Sequence, residues 1–258
     1  MGVVRPGWTF ALALLAGAAV CAGATEESFV LRGRAQTLHR YGRPGRRTAI
    51  VTSGDGGWVH LGPEVAQFLA TQDFSIVGFD AKAYLSSFTN GRETLAAADV
   101  PRDYAALVAH AAPAGSPRPI LFGVSEGAGL SVLAATDPEL QARVAGVVAL
   151  GLPDKNELGW RFRDSVIYFT KKTPDEPLFS VVEIVGRVRP VPLAVFQSAH
   201  DEFVPPEETR AIFAQAGPPK RLWPIDAADH RFSDRKPELQ KALLEAIEWI
   251  GQQATVAR

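Results

Sequence analysis

The chain has 258 residues, 47% of them hydrophobic and 21% charged, with a formal net charge of -1. That is globular composition with enough apolar material for one sizeable core, and the length does not require a second domain. No broad basic field is available to attract nucleic acid.

Residues 1–24 read as a leader. Arg5 supplies the positive start, Trp8–Val20 is an uncharged apolar run, and Ala22-Gly23-Ala24 has the small residues that a signal peptidase reads. The run is shorter than a membrane span needs, so the pattern predicts a secretory signal cleaved after Ala24 and a periplasmic protein. An uncleaved anchor or a lipoprotein built on Cys21 fits less well. Cys21 is the single cysteine, so the mature chain has no disulfide, thiolate metal site or cysteine nucleophile.

Beyond the leader, short β-rich runs alternate with longer amphipathic stretches. Phe29–Arg34 reads as an edge strand and Arg47–Ser53 as a buried one, followed by a helix over Pro63–Thr71. Phe74–Phe79 is the next strand, and Pro101 lies at the start of a helix with Tyr104, Leu107 and Val108 on one face. Pro119–Val124, Val144–Leu150, Pro192–Gln197 and Arg221–Ile225 are further strands, with helices over Gly127–Ala135, over Glu207–Ala214 and from Pro237 onward. Continuous apolar strands alternating with helices predict an α/β fold, a mostly parallel sheet covered on both faces. Pro153–Arg189 breaks the rhythm and reads as an insertion above the sheet, a lid or a packed excursion.

Three loops that follow strands carry candidate chemistry. Gly123-Val124-Ser125-Glu126-Gly127 sits between a buried strand and a helix, the setting of a nucleophile elbow, with Ser125 at its apex. Asp201, after the Pro192–Gln197 strand, can orient an imidazole, with Glu202 its immediate rival. His230, after the last strand, is placed to act as base, ahead of His39, His60, His110 and His200. The order Ser, Asp, His is the chain order of an α/β-hydrolase. An oxyanion needs donors: the amide of Glu126, and one from Ser53-Gly54-Asp55-Gly56-Gly57-Trp58, with Asp55 and Gly56 the candidates. The Gly-rich loop lacks the ending of a P-loop and the third glycine of a dinucleotide fingerprint, and no motif suggests a metal or cofactor.

The Ser53–Trp58 hexapeptide, Val77-Gly78-Phe79-Asp80 with Tyr84, and Phe122-Gly123-Val124-Ser125-Glu126-Gly127-Ala128 together resemble the VirJ/AcvB virulence-factor family of periplasmic α/β-hydrolases. Two segments depart from that pattern: Glu126 stands where the family usually has an aromatic residue, and the segment around His230 is poorer in Gly and His. The resemblance implies a Ser-Asp-His hydrolase acting on an ester, such as the aminoacyl ester of aminoacylated phosphatidylglycerol, at the outer face of the inner membrane. On that reading Trp58, Tyr84 and Trp160 are candidate substrate contacts, and the partner is an anionic phospholipid met peripherally. The alternatives are a general carboxylesterase or dienelactone-hydrolase-like enzyme on small esters, and a non-catalytic periplasmic adaptor with the same fold.

Overall fold

A computed structural model describes residues 24–43, 47–91, 93–161 and 176–256. The expected leader lies outside the described residues except for Ala24, as do residues 162–175 of the expected insertion. In chain order the strands are β1 (Thr25–Leu31), β2 (Arg34–Tyr41), β3 (Arg47–Thr52), β4 (Phe74–Phe79), β5 (Ile120–Val124), β6 (Gly146–Leu150), β7 (Lys155–Glu157), β8 (Leu178–Ser180), β9 (Leu193–Ser198) and β10 (Lys220–Ile225). The helices are α1 (Leu61–Thr71), α2 (Ala81–Phe88), α3 (Asp99–Ala111), α4 (Glu126–Ala134), the single turns α5 (Pro138–Gln141) and α6 (Val181–Ile184), then α7 (Pro206–Gln215) and α8 (Lys236–Val256).

Eight strands form one sheet in the order β1-β2-β4-β3-β5-β6-β9-β10, while β7 and β8 pair apart from it as an antiparallel ribbon. From β4 to β10 every neighbour is parallel, and β1 and β2 add antiparallel at one edge. Residues of one strand alternate between faces, which explains the unbroken apolar runs. Ile50, Leu121, Val147 and Val195 enter one core cluster with residues of α3 and α4. Ala49, Val51, Phe122, Val148 and Phe196 enter the other, under α1 and the Leu239, Leu243, Ile247 and Ile250 stripe of α8. Both faces are therefore covered, as an α/β-hydrolase fold requires.

The amino-terminal edge differs from expectation. Phe29–Arg34 is not one strand, because the chain turns at Arg32-Gly33, both at positive φ (44° and 79°). Such a pair suits a two-residue hairpin, and Leu31 faces Arg34 across it. The Arg32 guanidinium then reaches Asp103 of α3 through bonds of 2.8 and 2.7 Å, and the Tyr84 hydroxyl of α2 donates to the same carboxylate at 2.7 Å. The edge hairpin is thereby tied to the two helices beside it.

The position of any site follows from the strand order. The chain leaves β3 toward β4 on one side and pairs β3 with β5 on the other. A crevice opens at such a switch point, beyond the carboxyl ends of the strands. The Gly-rich loop after β3 and the turn after β5 meet there.

Candidate active site

Ser125 stands between β5 and α4 with φ 52° and ψ −118°. A non-glycine residue in that region costs about 1–3 kcal/mol and persists only when its surroundings hold it. Here the Ser125 N–H donates to the Leu150 carbonyl at 2.8 Å, and its own carbonyl accepts from Ala128 N–H at 2.8 Å. The flanking glycines permit the close approach. A Cβ on Gly123 would lie 2.2 Å from the Gly127 carbonyl oxygen, and one on Gly127 would lie 2.3 Å from the Ser53 carbonyl oxygen. Behind the serine, α4 is buried along its whole length, so its positive amino end is fixed toward the crevice.

The other two loops bring a carboxylate and an imidazole together. Nδ1 of His230 lies 2.7 Å from Oδ2 of Asp201, whose side chain is fully buried. Facing a carboxylate, Nδ1 carries the proton and Nε2 is left with its lone pair. Oδ1 of Asp201 accepts the N–H groups of Phe203 (2.9 Å) and Val204 (2.7 Å), which fixes the carboxylate plane. Glu202, the rival acid, is exposed and accepts the main-chain N–H of His230 at 2.8 Å, so it holds the loop rather than the ring. The Phe203 ring packs edge-on to the imidazole, 5.5 Å between centroids. The other histidines are placed elsewhere or differently. His39 stacks on Trp58, His110 lies 2.9 Å from Glu27, and His200 lies 3.5 Å from Asp226. His60 is exposed on the rim of the cavity.

Ser125 and His230 line one cavity of about 520 Å³, within the range of small-molecule sites. The hydrogen-bonded row runs from Asp201 to His230. The Ser125 hydroxyl has no hydrogen bond to it among the described residues. In ligand-free hydrolases this last contact is often long and closes with substrate.

The Gly-rich loop runs against the elbow, where a Cβ on Gly54 would lie 3.3 Å from that of Ser125. Gly57 N–H closes a turn onto the Gly54 carbonyl at 3.0 Å. The amides of Asp55, Gly56 and Glu126 meet no acceptor among the described residues, so all three remain available as donors. The three aromatic residues expected at the substrate lie off this cavity. Trp58 stacks on His39, packs over Gly78 and donates through Nε1 to the Tyr41 hydroxyl at 3.3 Å. Tyr84 is fully buried on Asp103, and desolvation pushes its hydroxyl far above the ordinary phenol range. Trp160 carries the Lys82 ammonium over its ring, 4.3 Å from the centroid.

Part of the cavity wall is instead polar, with Glu126 and Glu157 side by side. Glu126 turns its side chain inward and Oε1 accepts the Glu157 N–H at 2.8 Å. Burial, then the nearby carboxylates of Glu157 and Asp55, push the Glu126 carboxyl well above the usual carboxylate range. Glu157 carries no sequence signal of its own, since its place depends on the β7–β8 ribbon. Val59 and Phe203, 48% and 46% exposed, stand at the mouth as apolar side chains left in water. Among the described residues no group of three or more His, Cys, Asp or Glu side chains is arranged to hold a metal ion.

Solved structures share this architecture. One is a membrane phospholipase A described as a novel bacterial virulence factor (TM-score 0.65, 13% identity, 89% of this chain against 87% of that one). Another is an esterase of Pyrococcus furiosus (TM-score 0.65, 16% identity, 87% against 89%). A third is Est1E from Butyrivibrio proteoclasticus (TM-score 0.63, 14% identity, 91% against 100%). At these identities the likeness establishes the α/β-hydrolase fold. No curated protein matches the chain. The resemblance read in the sequence is met by a family model: residues 46–163, which carry the Gly-rich loop and the Ser125 elbow, match the bacterial virulence protein (VirJ) family on an α/β-hydrolase fold.

Proposed function

We propose that this protein is an exported serine hydrolase that cleaves a carboxylic ester in the periplasm, with Ser125 as nucleophile, His230 as base and Asp201 as the acid that orients it. The observation that carries the reading is the 2.7 Å bond from His230 to a fully buried Asp201, facing the same cavity as a serine held at positive φ. In the first step His230 Nε2 takes the hydroxyl proton as Ser125 Oγ attacks the ester carbonyl. The alcohol then leaves with that proton, and an acyl-enzyme remains. Water, deprotonated by His230, releases the acid and restores the serine. The amides of Glu126 and of Asp55 or Gly56 receive the oxyanion, and losing one such donor typically costs about 100- to 1000-fold in turnover.

For the substrate, the aminoacyl ester of an aminoacylated phosphatidylglycerol is the reading that the lining supports best. Carboxylates of Asp55, Asp154, Glu157, Glu202 and Glu208 outnumber the cations of Lys155 and Arg231 around the cavity, which suits an ammonium group near the scissile bond. The apolar Val59 and Phe203 at the mouth suit the lipid end. Contact with the membrane is then peripheral, at its outer face.

The test has two arms. A fluorophosphonate probe labels the folded wild-type protein and not Ser125→Ala; a wild-type protein that folds without labelling removes the hydrolase and leaves an adaptor. Lipid extracts from cells carrying wild type or Ser125→Ala then read the substrate. Accumulation of aminoacyl-phosphatidylglycerol in the variant is expected, and unchanged lipid with turnover of short p-nitrophenyl esters identifies a general carboxylesterase instead.

A further inference from the structure

The residue that follows the nucleophile is a glutamate withdrawn from solvent. Glu126 is 6% exposed and is the first residue of α4. An acidic side chain in a first helical turn is normally favoured, charged, by the helix dipole. Here the side chain leaves the solvent and fastens α4 to β7 through the 2.8 Å bond from Glu157 N–H. The groups acting on it from neighbouring elements are Glu157 of β7 and Asp55 of the Gly-rich loop. Tyr104 of α3, hydroxyl to hydroxyl with Thr52 at 3.0 Å, is near enough to feel the charge of Glu126. The other charged or titratable groups on the cavity are Asp154, Lys155, Glu202, Glu208, Arg231 and the two histidines His60 and His230. Among the described residues no cation is found with the groups that act on the Glu126 carboxyl.

We propose that Glu126 is a positioning residue for the hydrolysis: anchored on the Glu157 amide, its side chain fixes the direction of its own main-chain N–H, the donor to the oxyanion. The inference deepens the ester-hydrolase reading and rests on it. The anchor works with the carboxyl protonated. A neutral Glu126 accepts the Glu157 N–H through one oxygen and adds no charge to the site. An ionised Glu126 accepts the Glu157 N–H more strongly, but it repels the nearby Glu157 and Asp55 carboxylates, which strains the tie to β7. It also sets a negative charge one residue from the serine on which the oxyanion forms, in a poorly solvated place where like charges act strongly. Both effects weaken the transition state more than the ground state, so they fall on kcat rather than KM.

The experiment compares pH profiles of kcat and KM on a short p-nitrophenyl ester for wild type, Glu126→Gln and Glu126→Ala, with active sites counted by fluorophosphonate labelling. Gln keeps the acceptor for Glu157 N–H and cannot ionise; Ala removes the acceptor. Wild-type kcat is expected to fall about tenfold or more toward alkaline pH with KM little changed. Glu126→Ala loses about 10- to 100-fold in kcat where wild-type Glu126 is neutral, and its profile lacks the alkaline fall. Glu126→Gln recovers most of that loss and lacks the alkaline fall. The inference is overturned if Glu126→Gln shows the same alkaline fall as wild type, or if Glu126→Ala keeps wild-type kcat. Should Glu126→Ala fail to fold, the Gln profile decides alone. A wild-type protein that neither labels nor turns over any ester defeats the hydrolase reading itself, an outcome distinct from an active enzyme with an unaltered Gln profile.

Discussion

Asp201→Asn separates geometry from protonation at the proposed triad. The carboxylate has two jobs on two oxygens: Oδ1 accepts the Phe203 and Val204 N–H groups, and Oδ2 faces His230 Nδ1 at 2.7 Å. Asn can keep its oxygen on the two backbone donors, because an NH₂ group there would meet N–H groups head on. Its NH₂ must then face Nδ1. Nδ1 is forced to accept, the ring proton moves to Nε2, and the atom that must take the Ser125 proton already carries one. The fold and the loop survive while the tautomer is wrong. The expected loss is about 10⁴ in kcat, or roughly 5.4 kcal/mol at 1.36 kcal/mol per decade. The assay is steady-state hydrolysis of a short p-nitrophenyl ester, with the melting temperature measured alongside. A variant that folds and keeps kcat within about tenfold of wild type would refute the role of Asp201 and, with it, the derivation of the triad from this hydrogen bond.

Three further substitutions probe the surroundings of the triad and the fold that carries it. Gly151 is at φ 57°, and a Cβ there would lie 2.5 Å from Cε1 of His230; Gly151→Ala is expected to displace the ring and lower kcat roughly 10- to 100-fold, measured against the fraction of sites that react with a fluorophosphonate. Tyr84→Phe removes a 2.7 Å bond to Asp103, a site away from the cavity, and is expected to cost about 1.5–3 kcal/mol in urea denaturation with ester turnover unaffected; a large rise in KM with stability intact would return Tyr84 to the substrate. Glu126 titrates higher in the folded protein than in the unfolded chain, so the folded state binds the extra proton between those two values. Stability is full below the unfolded value and falls as pH rises through the folded one. Glu126→Gln is expected to remove that slope, read as a melting temperature that gains on wild type as pH rises above the ordinary carboxylate range.

Local signals identified most of the sheet. Of the strands from β3 onward in the main sheet, all but β10 are largely apolar runs bounded by turns, and each appears within a few residues of its expected position. The elbow was equally legible, because Gly123 and Gly127 mark a close backbone approach that no other residue allows. The edge was harder. Arg32-Gly33 is a turn inside an otherwise strand-like run, and the hairpin shows only when Leu31 is seen opposite Arg34. The directions of the aromatic side chains were illegible for a different reason. Trp58 and Tyr84 sit near the site in sequence, but their partners Gly78, His39 and Asp103 lie on other elements, and those partners decide which way each ring points. The sequence marks Glu126 only for its amide, because the burial of its side chain depends on β7 closing over it.

One consequence belongs to the far edge of the sheet. β10 pairs with β9 alone, and the loop that bears His230 hangs from its end. The partner strand of β10 is near in sequence, Lys220 standing opposite Leu193, whereas β3 reaches β5 across a longer stretch of chain, Ala49 opposite Ile120. On the proposed assignment of the triad, detaching this outermost strand with its loop would part His230 from Ser125, while the serine turn, seated on β5 and bonded to Leu150 of β6, would keep its place.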